Sequence, residues 1–245
     1  MKSIVHSLQE RGYDPCDFEE TLQETSCTKV LASEETILKV YFDLDPYFAQ
    51  NNLYYSELLR DITPPVLDFW QDEGVYYIVA ERYWGSMWDL AHEQSDEFEG
   101  RLTFTRSQIA QMRHLCSKIS ERGVVHGDLK AENFVYRKNE KGCIEIALID
   151  FDMSQDVDED EYDPHMGWLE KFAKNKKSVG NAVKLPHINH MQLEIDIISS
   201  DFYNENGDRF SWPLFRDIPS EERALMMKYF IPHAFDGREP PSSRK

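Results

Sequence analysis

Hydrophobic and polar positions along the chain change period about a third of the way along it. Residues 22–42, LQETSCTKVLASEETILKVYF, read as two or three strands, with a turn at Ser33-Glu34-Glu35. A short helix is expected over 47–60, and Pro64-Pro65 close the segment after it. The apolar run GVYYIVAERYW over 74–84 predicts a strong strand, and Ser86 is placed to cap a following helix. From there the pattern turns helical. Ile109, Met112, Cys116 and Ile119 recur at near-helical spacing within 105–122, and Gly123 sits where a helix C-cap belongs. Two more strands are expected at 133–137 and 143–149, then helices near 192–199 and 221–230. An acidic run, QDVDEDEYD at 155–163, reads as a solvated loop. A basic cluster at Lys171, Lys174, Lys176 and Lys177 follows it, and a flexible tail is expected over 236–245.

Strands first and helices second make an α+β class, with the junction near Trp84–Ser86. The 245 residues suffice for one large domain or two small ones. With 41% hydrophobic and 13% aromatic residues the chain reads as a folded globule. The net charge of -18 argues against a nucleic-acid partner, which would need a basic face, and favours solubility or attraction to basic protein partners. Cys16, Cys27, Cys116 and Cys143 lack CxxC spacing, so neither a zinc site nor a disulfide framework is expected. No apolar run marks a signal peptide or reaches membrane-spanning length, which predicts a cytoplasmic protein without membrane insertion. Oligomeric state leaves no mark in the sequence.

The candidate chemistry centres on GVVHGDLKAENFVY, residues 123–136, where Asp128, Lys130 and Asn133 fall within six positions between apolar strand ends. Its core, HGDLKAEN, resembles the HRDLKPEN catalytic loop of eukaryotic-like Ser/Thr protein kinases. Other signatures of that superfamily follow in order. LIDFD at 148–152 resembles the DFG segment, TILK at 36–39 the lysine-bearing strand, and YYIVAE at 76–81 the strand that leads to the hinge.

The resemblance covers about residues 18–200 and implies a bilobal protein-kinase-like fold. A small β-rich lobe, 1–84, would hold a five-stranded sheet and one helix, and a truncated helical lobe would span 85–235. It implies ATP and Mg²⁺ as cofactors, with Mn²⁺ as a substitute, and transfer of the γ-phosphate to Ser or Thr of a protein. Phosphoryl transfer asks for positioning and charge neutralisation more than for covalent help. By resemblance Asp128 orients the acceptor hydroxyl, Lys130 offsets charge on the transferring group, and Asn133 and Asp150 hold the metal. Lys39 binds the phosphates and pairs with Glu57 on the following helix. Thr25, Ser26, Val30, Ala80, Glu81 and Tyr83 line the nucleotide, with Ala80 controlling a pocket behind the adenine. His126 plays a structural part.

Three departures qualify the resemblance. Gln23, Thr25 and Thr28 replace the phosphate-loop glycines, so the Thr and Ser hydroxyls would contact phosphate or the loop would bind it weakly. Asp152 replaces the DFG glycine and adds a carboxylate beside the metal position. Gly127 replaces the arginine that grips a phosphorylated activation segment, which implies activity without that modification. The short C-terminal part suits a minimal kinase of the kind found among viral proteins and bacterial effectors, acting on a basic or host protein, in host cytoplasm in that case. Pro186 is placed at the end of the activation segment, and Asp196 in the helix that braces the loop. Two alternatives stay open: a small-molecule kinase of the choline- or aminoglycoside-kinase type, whose loops can read H-G-D, and a pseudokinase scaffold.

Overall fold

Strand β3 (Thr36–Tyr41) sets the plan of the N-terminal part, because its two faces bury different side chains. In a strand successive side chains point to opposite faces. Leu38 and Val40 enter one apolar cluster, whereas Tyr41 enters another. The computed structural model describes residues 4–42, 46–95, 100–156, 189, 192–193, 196–197 and 202–208.

Two compact units result: Met1–Gly85 with Val135–Ser154, and Ser86–Phe134 with Gln155–Lys245. The sequence expectation assigned all residues beyond 84 to the second part. The hairpin and the LIDFD segment instead return to the first unit.

The first unit holds a five-stranded antiparallel sheet of order β1-β2-β3-β5-β4, from β1 (Glu20–Glu24), β2 (Thr28–Ala32), β3, β4 (Val66–Asp72) and β5 (Val75–Glu81). One face packs Leu31, Leu38, Val40, Trp70, Tyr77 and Val79 against Leu8 and Phe18. Leu8 comes from helix α1 (Ile4–Glu10), which the apolar pattern does not predict. Trp70 stacks on Tyr77 with centroids 4.8 Å apart, and its Nε1 donates to Ser7 Oγ at 2.9 Å, so one side chain fixes α1 to the sheet.

The opposite face packs Tyr41, Tyr76 and Ile78 against Ala49 of helix α2 (Pro46–Leu58). Each such buried apolar side chain contributes ~1.5–3 kcal/mol. The α2 residues turned inward are Ala49, Asn52 and Tyr55, at helical spacing, and two of the three are polar. That choice matters at the site.

Strand β6 (Gly85–Ser86) ends the first stretch of chain. In the second unit Ser86 caps helix α3 (Met87–Glu93) in a reciprocal box with Asp89, and Thr105 caps helix α4 (Arg106–Glu121) in another with Gln108. Gly123, at φ +71°, follows the α4 C-terminus in the left-handed conformation that glycine adopts freely. Strand β7 (Val124–Val125) leads into the HGDLKAEN loop. Strands β8 (Phe134–Lys138) and β9 (Ile144–Leu148) are neighbours in one sheet, joined by a turn in which Asn139 N donates to Cys143 O.

Of the expected acidic loop, Gln155 and Asp156 form strand β10, paired antiparallel with β7. Residues 157–163, the basic cluster, Pro186, the 221–230 helix and the tail lie outside the described residues. Gln192, Leu193, Asp196 and Ile197 are helical, as the pattern over 192–199 expects, and so is Asn189 before it. No helix among the described residues is long and apolar enough to cross a membrane.

Candidate active site

The expected site residues divide between the two units. Lys39, Asp150 and Asp152 belong to the first, and Asp128, Lys130 and Asn133 to the second.

In the second unit the loop after β7 turns at Gly127, whose φ of +90° is a conformation that L side chains adopt at a cost. The glycine at the arginine position therefore has a backbone reason. Lys130 Nζ lies 2.8 Å from Asp128 Oδ2. Asn133 Nδ2 donates to the Asp128 carbonyl at 2.7 Å and to Oδ2 at 3.2 Å. This fixes the amide so that its oxygen is the atom left for a cation. Asp128 and Lys130 are part-exposed, while Leu129, Ala131 and Asn133 between and beyond them are buried.

Two groups brace the loop from the helical residues. Asp196 Oδ2 accepts from Ala131 N at 2.7 Å, and burial lifts this carboxyl to about 7 against the lowering effect of that bond. Fully buried Asn189 accepts from His126 N at 3.0 Å and donates to Val124 O at 2.7 Å and Ser120 Oγ at 2.9 Å. Asp196 was expected in this part. Asn189 was not, because nothing local in an asparagine signals what it will bond.

In the first unit Lys39 donates to Asp150 Oδ1 and to both oxygens of Asp152, at 3.1 and 3.0 Å. Burial works against its charge, but Asp150, Tyr41 and Asp152 outweigh burial and hold the ammonium well above the usual lysine value. Asp150 itself has φ +71°, ψ +56°, a left-handed conformation uncommon outside glycine and asparagine. Such strain persists only where surrounding structure over-determines it. The surrounding structure is α2. Asn51 Nδ2 donates to the carbonyls of Phe151, Asp152 and Ser154 at 3.1, 3.0 and 2.7 Å, and Asn52 Oδ1 accepts from Phe151 N at 3.3 Å. Sequence reasoning missed both asparagines.

The expected Lys39–Glu57 pair does not form. Glu57 is exposed and lines a shallow apolar depression on the outer face of α2 with Leu53, Tyr54 and Leu58. The inward α2 residues are Ala49, Asn52 and Tyr55, so helical periodicity turns position 57 away from β3.

The phosphate-loop expectation also needs correction. Thr25 Oγ1 accepts from the amides of Cys27 and Thr28 at 3.2 and 2.9 Å, and Thr25 N donates to Thr28 O at 2.8 Å. The β1–β2 turn thus closes on itself, and its own hydroxyl occupies two amides that a glycine loop would offer to phosphate. Ser26 Oγ pairs with Cys27 Sγ at 3.3 Å.

Val30 and Ala80 share the face of Lys39. Val30 lies opposite Lys39 on β2, Lys39 opposite Ile78 on β5, and Ala80 two positions on, opposite Ile37. From the end of β5 onward the amides of Glu81, Arg82 and Trp84 donate to Pro65, Glu35 and Tyr136, while that of Tyr83 makes no such bond among the described residues. The Glu81 carboxylate is drawn off to Arg137 at 3.2 Å, whose guanidinium also covers the Tyr83 ring at 4.8 Å.

Residues 82–164 match the lipopolysaccharide kinase (Kdo/WaaP) family. The matched stretch is about a third of the chain and carries Asp128, Lys130, Asn133, Asp150 and Asp152. No curated protein matches the chain.

Taken each in its own unit, the Asp150 carboxylate and the Asn133 amide oxygen are hard donors, of the kind Mg²⁺ takes rather than a soft cation. Among the described residues no three His, Cys, Asp or Glu side chains form a cage on their own.

Proposed function

We propose that the chain is an ATP-dependent kinase that phosphorylates a hydroxyl of a protein Ser or Thr. The observation that carries the kinase reading is the Asp128–Lys130–Asn133 cluster, in a stretch that matches a kinase family. Bound Mg²⁺-ATP supplies the phosphoryl group and neutralises its charge. Asp128 accepts a hydrogen bond from the acceptor hydroxyl and aligns its oxygen, and Lys130 keeps the carboxylate in place and offsets developing negative charge. Asn133, in the second unit, and Asp150, in the first, would be the residues to offer oxygen ligands to the metal. Lys39 binds phosphate oxygens, and the Tyr83 amide is available to the adenine edge.

For the acceptor, Lys130 two positions after Asp128 favours a protein, and the net charge of -18 favours a basic one. A second reading, a sugar hydroxyl, is favoured by the matched family, named for lipopolysaccharide. An acidic chain attracts polyanionic lipopolysaccharide poorly at long range. The test is transfer of labelled γ-phosphate to basic proteins and, separately, to lipopolysaccharide, with Asp128→Ala as control. Label on protein that Asp128→Ala abolishes supports the first acceptor. Label on lipopolysaccharide alone replaces it with the second, and label on neither removes both.

A further inference from the structure

Lys39 keeps its carboxylate partners while α2 offers it none. The two departures that sequence reasoning treated separately, a misplaced Glu57 and a carboxylate where DFG has glycine, are then one rearrangement. We propose that Asp152 is the positioning residue for Lys39, taking the part that a helix glutamate would play. This rests on the nucleotide-binding reading above.

The geometry separates the two aspartates. Asp152 meets Lys39 with both oxygens, at 3.1 and 3.0 Å, and Asp150 meets it with one. Asp152 is the more enclosed, at 18% side-chain exposure against 33% for Asp150. Behind it a relay fixes the carboxylate: Tyr41 Oη donates to Asp152 Oδ1 at 2.7 Å, and Asn52 Nδ2 donates to Tyr41 Oη at 2.7 Å. The ring of Tyr41 also lies 4.9 Å from the Lys39 ammonium. The more enclosed Asp152, held from behind by Tyr41, is the carboxylate placed to stay with the lysine. A glycine could not do this, having no side chain, and a carboxylate at 152 relieves α2 of the need to present one. The inward α2 residue is accordingly Asn52, which orients Tyr41 rather than meeting Lys39.

The experiment is calorimetric titration of the full chain with adenosine and with ADP, each in EDTA and in Mg²⁺. Asp152→Asn is nearly isosteric, and Tyr41→Phe removes only the hydroxyl behind the carboxylate. Losing the charge-assisted partner of the phosphate-binding lysine weakens ADP about tenfold or more in Asp152→Asn, in EDTA as well as in Mg²⁺. Adenosine, without phosphate, binds wild type and variant alike. Tyr41→Phe gives a smaller loss for ADP in the same direction. Equal ADP affinity in wild type and both variants overturns the inference. So does a loss confined to Mg²⁺, which would make Asp152 a metal ligand, or a matching loss for adenosine, which would make it merely structural. A wild-type chain that binds neither ligand overturns the nucleotide reading itself and the inference with it.

Discussion

Asn133 holds Asp128 at two points, its amide nitrogen donating to the carbonyl at 2.7 Å and to the carboxylate at 3.2 Å. The residue expected to hold metal thus also orients the residue expected to orient the acceptor. Asn133→Ala removes both functions. It should raise the Mg²⁺ concentration needed for half-maximal transfer by ~10-fold or more and lower the maximal rate as well. A Mg²⁺ titration of initial rates checks this, and a variant that loses neither would detach Asn133 from the site.

Asn51 ties three carbonyls of the Asp150 segment to α2. Asn51→Leu keeps the γ-branched shape and removes the donors. The expected cost is ~1–3 kcal/mol, or ~2–10 °C in melting temperature. Tyr54→Ser, on the exposed face of the same helix, should change stability by no more than about 0.5 kcal/mol. Thermal melts of both variants test it; equal shifts would mean that α2 does not hold the segment.

Asp196 titrates in a useful window. Its folded carboxyl is raised to about 7 by burial, above its unfolded value of 3.8. A raised carboxyl binds its proton more tightly when folded. Its stabilising effect is complete below the unfolded value and is lost as pH climbs through about 7. Wild type should therefore lose stability between pH 5.5 and pH 8, and Asp196→Asn, which still offers an oxygen to Ala131 N, should lose less. Urea midpoints at the two pH values decide it. Parallel losses would show that Asp196 contributes nothing to the slope.

Ala80 shares the Lys39 face of β5. If adenine lies along that face, the small side chain leaves room behind it, and wild type should accept ATP analogues with bulky N6 groups. Ala80→Met should exclude these at ~1–3 kcal/mol while still binding ATP. Competition with N6-benzyl-ATP is the check; equal discrimination by both proteins would move the adenine elsewhere.

Most of the frame was legible in the sequence, because apolar periodicity and caps are local. The spacing of Ile109, Met112, Cys116 and Ile119 marks α4, and all four are buried in it. Ser86 and Gly123 stand where caps were expected. Helix α1 escaped because IVHSLQE is short and weakly patterned, and its helicity rests on tertiary contacts such as Ser7 with Trp70. Within the site, Asp128, Lys130 and Asn133 were readable because they come together through one short loop. The Lys39 partner was misread because it depends on which face α2 presents. A carboxylate at 57 fits the sequence distance, but the inward face of α2 presents Ala49, Asn52 and Tyr55. Asn51, Asn52 and Asn189 act through bonds to distant backbone, and nothing local marks such a residue.

The kinase reading stands or falls on Asp128. The direct measurement is the rate of γ-phosphate transfer from Mg²⁺-ATP by purified wild type and Asp128→Asn, with circular dichroism establishing that the variant is folded. The expected result is measurable transfer by wild type and a loss of roughly a thousandfold in the variant, with nucleotide affinity retained. Equal transfer by the two proteins, or no transfer by a wild-type protein that binds Mg²⁺-ATP, would contradict it.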